Sequence, residues 1–208
     1  MHPFGLDSCC TRGSTFNNYD INAEDICASA EDLVAALKNK FALQAEYTRP
    51  NDNRWVLNDH FYVYSIADEA SGVSIDIFNV DAGDATTHDA QQTCCQCYGY
   101  SVGKDKLCKN FARGDKLCAG GDTKMYDSCF KQITEWRDDS RQQLAKEVAA
   151  SNATWKLVNS HYSPYAHYDK AGMKKWFDIL QDAGVQLWLN GHTHGKTTTN
   201  SPRFRCNL

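Results

Sequence analysis

The chain has 208 residues, 42% of them hydrophobic and 23% charged, with 22 basic residues against 26 acidic ones and a net charge of −4. That length suits one ordinary domain with room for an appendage, and the composition is globular rather than disordered or fibrous. No basic field is present to hold a polyanion, which argues against nucleic-acid binding as the main role, and no uninterrupted apolar run approaches a membrane span.

Residues 1–28 are polar and irregular. Their start, Met1-His2-Pro3-Phe4-Gly5, lacks the basic end and apolar core of a signal peptide. Ser29-Ala30-Glu31-Asp32 resembles a capping box, with Asp in the usual place of Glu or Gln, and predicts a helix whose apolar face carries Leu33, Val34, Leu37 and Phe41. Residues 48–54 read as a loop. His60–Ile66 and Val73–Val80 are aromatic and β-branched, and Ala70-Ser71-Gly72 between them predicts a hairpin.

Residues 81–130 hold six of the ten cysteines: Cys94, Cys95, Cys97, Cys108, Cys118 and Cys129. With few core residues there, the segment reads as a disulfide-stapled insertion into a domain spanning 1–208. A structural zinc site would show two paired Cys-x-x-Cys units, whereas this spacing has one tight cluster. A zinc-stapled interaction module over 94–129 is the alternative. The pairing stays open, since six cysteines allow about 15 connectivities. Heavy, even-numbered cysteine usage points to an oxidising compartment, and the sequon Asn152-Ala153-Thr154 offers Asn152 as a glycosylation acceptor there.

Residues 131–150 predict a helix with Ile133, Trp136, Leu144 and Val148 on one face and Ser140 in the gap. Trp155–Ser160 then reads as a strand. Asp169 caps a helix bearing Met173, Trp176, Phe177 and Leu180, Gly184 stops it, and Val185–Asn190 is a second strand. Strand, helix, strand is a βαβ unit, so the two strands should run parallel.

The candidate chemistry sits past the ends of these strands. His161 follows the first, and Gly191-His192-Thr193-His194-Gly195 follows the second. Adjacent parallel strands would bring the three imidazoles to one rim, where open parallel sheets bind ligands, and imidazole suits zinc, iron, nickel and copper. Among carboxylates, Asp81 and Asp84 in Val80-Asp81-Ala82-Gly83-Asp84 are the best-placed ligand candidates because an apolar strand precedes them. Asp122 lies in the cysteine-rich segment and reads as a loop residue.

These residues carry a resemblance. The Leu144–Ser151 helix, Trp155-Lys156-Leu157-Val158, His161 and Gly191-His192-Thr193-His194 resemble the C-terminal half of a calcineurin-like metallophosphoesterase, with most similarity to purple acid phosphatases. Upstream, Arg54-Trp55-Val56-Leu57, Tyr62-Val63-Tyr64 and Ile77-Phe78-Asn79-Val80-Asp81 resemble further stretches of that family. The resemblance implies an α/β fold: part of a sheet sandwich flanked by helices, with the cysteine-rich segment inserted. It implies hydrolysis of small phosphate esters at two divalent or trivalent metal ions (Fe, Zn or Mn). His161 and His192 would bind one metal and His194 the other, and His167 would lie near the substrate phosphate and help protonate the leaving group. The family's Gly-Asn-His signature is absent. The expectation is therefore a secreted phosphomonoesterase represented by its second half, inactive alone, whose natural partner is the missing N-terminal half and whose signal peptide was lost with it. A half-sandwich would leave one apolar sheet face bare. The alternative is a non-catalytic, secreted, cysteine-rich remnant or binding module.

Overall fold

A computed structural model describes residues 27–46, 56–83, 89–96, 112–116, 118–164 and 167–192. Its elements are α1 (Ala30–Ala45), β1 (Phe61–Asp68), β2 (Val73–Val80), α2 (Asp89–Cys94), α3 (Thr123–Ala150), β3 (Trp155–Ser160), α4 (Lys170–Leu180) and β4 (Leu187–Asn190). The class is α/β, as the sequence implies. The described residues divide into two compact units, one drawn from residues up to 59 and from 84–135, the other from 60–83 and from 136 onward.

In the first unit, the Ser29 hydroxyl accepts from the Asp32 backbone N–H (3.1 Å) and donates to the Asp32 carboxylate (2.8 Å). The capping residues are those expected, but the carboxylate holds the serine hydroxyl rather than a backbone amide. Leu33 is buried in a core with Cys27, Ala30, Cys94, Ala119, Met125 and Cys129, and Leu37, Tyr126, Phe130 and Ile133 pack around it. Cys94 pairs with Cys129 and Cys95 with Cys118, and Cys27 is also disulfide-bonded. These bonds leave no thiolates at those positions and overturn the zinc alternative for four of its six cysteines. Cys97 and Cys108 lie outside the described residues. Buried Gln96 accepts from the Cys27 backbone N–H at 2.6 Å, tying the start of α1 to the cystine-bearing turn.

Helix α3 begins at Thr123, eight residues before the expected start at 131. Its cap is Asp122, whose carboxylate accepts from the Met125 backbone N–H at 3.0 Å. The aspartate read as a loop residue is thus a helix N-cap.

The second unit holds a four-stranded sheet in the order β1-β2-β3-β4. The expected hairpin forms with Phe61 opposite Val80 and Asp68 opposite Val73. Asp68 builds its turn by accepting from the backbone N–H groups of Ala70 and Ser71, and Gly72 takes the positive φ of 71° that closes it. β2–β3 and β3–β4 are both parallel, so the expected βαβ unit is present. Phe61, Phe78, Val80 and Val158 are buried on one sheet face. There the Lys156 ammonium donates to the Val148 carbonyl of α3, and Trp188 meets Trp176 of α4 edge to face. The opposite face is apolar and exposed: Tyr64 52%, Ile66 47%, Val73 39%, Trp155 48%, Leu187 46% and Leu189 43%. No helix among the described residues is long and apolar enough to cross a membrane.

The two cystines close loops of 35 and 23 residues. By loop entropy each should contribute about 3–4 kcal/mol to the first unit. Cys94→Ala/Cys129→Ala should therefore lower the thermal midpoint and the denaturant midpoint markedly; unchanged midpoints would contradict the fold described.

Candidate functional site

β2, β3 and β4 run parallel, so their C-terminal ends share one rim. The β3–β4 register sets Ser160 opposite Asn190. The residues that follow, His161 and Gly191-His192, consequently leave the sheet side by side. A backbone bond from Gly191 N–H to the His161 carbonyl, 3.1 Å long, joins the two loops.

His161 Nε2 and His192 Nδ1 lie 3.2 Å apart with their rings nearly perpendicular. As bare imidazoles they share one hydrogen bond. Two nitrogens held by one cation at metal–nitrogen distances of about 2.0–2.1 Å would subtend about 100° at that spacing, between octahedral and tetrahedral angles. The pair thus fits one transition-metal ion. Among the described residues, no group of three or more His, Cys, Asp or Glu side chains is arranged to hold a metal. His194 and Asp84 lie outside the described residues.

The backbone φ is positive at His192 itself, at 62°. For a non-glycine residue this backbone state costs about 1–2 kcal/mol, an outlier of the kind that clusters at functional sites. Gly191 packs beside the His161 ring, where a Cβ would make an ordinary contact, 3.4 Å from Nδ1.

His167 joins the same cluster, its ring centre 4.7 Å from that of His192. Its Nδ1 accepts from the Ser163 backbone N–H at 3.3 Å. The neutral ring then carries its proton on Nε2, which makes that edge a hydrogen-bond donor with no lone pair for a metal. Geometry therefore separates a pair of imidazoles that share one proton between facing nitrogens from a third whose free edge is a donor.

Asp81, the rim carboxylate after β2, is already engaged. Its Oδ2 holds His60 Nδ1 at 2.8 Å and its Oδ1 accepts from the Gly83 backbone N–H at 2.9 Å. The His60 ring stacks on Trp136 at 4.3 Å. Buried Ser140, read as a gap in the helix face, donates to the His60 carbonyl and accepts from the Asp81 backbone N–H. Asn152 lies exposed between α3 and β3.

Sequence reasoning missed Tyr162 and Tyr168. The Tyr162 ring is buried against all three imidazoles. The Tyr168 hydroxyl donates to the Ala82 carbonyl at 3.1 Å, linking the approach to α4 with the end of β2. Only the position of Tyr162 directly after His161 marks it in the sequence.

The calcineurin-like phosphoesterase family model matches residues 37–196, a span that contains the strands, the rim and all the candidate histidines. The chain belongs to this family. No curated protein and no solved structure gives a significant match. The family's chemistry is phosphoric-ester hydrolysis, generally at a dinuclear metal site, and its substrates are phosphate esters. In this phosphoesterase domain the rim of the parallel strands is where the imidazole donors gather.

In Gly191→Ala the new methyl would meet the His161 ring at ordinary van der Waals distance, 3.4 Å from Nδ1. We expect zinc affinity within about threefold of wild type at a nearly unchanged melting temperature, read by calorimetric titration and thermal unfolding. A loss of about tenfold or more would contradict the spacing described.

Proposed function

We propose that this phosphoesterase domain carries the histidine half of a dinuclear phosphomonoesterase site of the acid-phosphatase type. The observation that carries the reading is the His161–His192 nitrogen pair, 3.2 Å apart at the rim of parallel strands. His161 and His192 present lone pairs to one metal, and His194 serves the second. When bound, a metal pair supplies a clamp for the phosphate and a water of lowered pKa. His167, with Nε2 as its donor edge, points a proton at a phosphate oxygen or the departing alkoxide. Iron, zinc and manganese all suit the imidazole donors combined with oxygen ligands.

The carboxylate half belongs, in this reading, to an N-terminal part of the same domain. The exposed apolar sheet face supports it, because a face carrying Tyr64, Ile66, Trp155, Leu187 and Leu189 matches the inner surface of a sheet sandwich. Asp81 keeps its ligand candidacy beside its bonds to His60 and the Gly83 amide, since each carboxylate oxygen retains a lone pair, and Asp84 is the other candidate in this chain. The disulfides favour an extracytoplasmic, secreted protein, and exposed Asn152 suits glycosylation there. A second reading, a non-catalytic cysteine-rich module that binds one metal, is favoured by the engagement of both Asp81 oxygens.

Hydrolysis of an aryl phosphate with added zinc, manganese or iron separates the possibilities. For this chain alone we expect one weakly bound metal, lost in His192→Ala, and no turnover. Adding the N-terminal half should restore turnover that His192→Ala again abolishes. Metal binding indifferent to His192→Ala would sink the proposed site, and a reconstituted domain without turnover would favour the non-catalytic module.

A further inference from the structure

We propose that Tyr162 is the positioning residue of this site, the fixed wall against which its imidazoles are set. The inference rests on the reading of His161 and His192 as metal ligands.

His161 is exposed, and His167 and His192 are half-buried. Side chains so placed rotate unless something packs against them. Tyr162 is 2% exposed, and its ring centre lies 4.8 Å from that of His161, 5.2 Å from that of His167 and 4.9 Å from that of His192. It meets His161 edge to face, an arrangement that aromatic quadrupoles favour. The Tyr162 backbone is itself held, since the buried Ser160 hydroxyl donates to its carbonyl at 2.7 Å. Pro164, two residues on, is fully buried. One anchored, rigid ring thus lies against both candidate ligands and the donor imidazole.

The consequence is preorganisation. A metal gains most from two ring nitrogens already held near each other, and residues that orient ligands typically change metal affinity about 10–100-fold when replaced. The planar ring carries this role, so the conservative replacement should preserve it. A smaller, branched aliphatic side chain should not, because it offers no flat surface and leaves part of the space unfilled.

The test uses the full chain titrated with zinc, with calorimetry and imidazole NMR as readouts. Tyr162→Phe should bind zinc within about threefold of wild type. Tyr162→Leu should lose about tenfold or more in affinity per folded molecule, at unchanged helical content and with a lowered melting temperature. Wild-type affinity in Tyr162→Leu, or an equal loss in Tyr162→Phe, would overturn the proposal. A purely structural role would lower the melting temperature without separating the two variants in affinity per folded molecule. Should Tyr162→Leu not fold, the metal-free wild type decides: cross-relaxation from the Tyr162 ring to the imidazoles of His161, His167 and His192 is expected, and its absence would overturn the proposal. If zinc leaves the His161 and His192 resonances of wild type unmoved, the ligand reading fails instead, and the metal-free ring contacts still judge the positioning role.

Discussion

The parallel register of β3 with β4 is the constraint on which the site depends. Ser160 opposite Asn190 means that both strands end at one level, so the next residues of each emerge together. Hydrogen bonding along the sheet continues for one further step, from Gly191 N–H to the His161 carbonyl. From there the imidazole pair follows with little freedom. A slip of one residue would turn Val158 and Trp188 to the bare face and carry the histidines with them. The contacts of Trp188 with Trp176 and of Lys156 with α3 therefore maintain the site as well as the fold.

The rim also shows how one residue type is divided between structure and chemistry. Asp81 ends β2 at the level where a metal ligand could stand, yet its carboxylate grips His60, its neighbour across the hairpin, and its own loop. Ser140 closes the same node from α3, accepting from the Asp81 backbone and donating to that of His60. Buried polar groups satisfied this completely are costly to redirect. His192 shows the opposite economy: it holds a strained backbone state that places its ring toward His161.

Local patterns were legible in the sequence, and tertiary engagements were not. The Ser29 cap, the hairpin limits at Val73–Val80, and the strand, helix and strand that carry His161 and His192 all follow from neighbouring residues. The early start of α3 was hidden because Met125 and Cys129 bury its first turns with the help of cystines rather than a recognisable apolar stripe. Asp81 is engaged by a residue 21 positions away and Ser140 by one 80 positions away, separations at which periodicity carries no information. Tyr162 was overlooked because a tyrosine in a short loop ordinarily faces water, whereas here the turn from β3 folds it inward against the imidazoles. Three of the expected placements, for His161, His192 and His167, converge in space, while His194 and Asp84 fall outside the described residues.

The most direct measurement is a crystal structure of the metal-soaked chain with anomalous diffraction recorded at the metal edge. The expected result is an anomalous peak within bonding distance of both His161 Nε2 and His192 Nδ1, the metal replacing the hydrogen bond between the two rings. Metal located elsewhere, with those two nitrogens still hydrogen-bonded to each other, would contradict it.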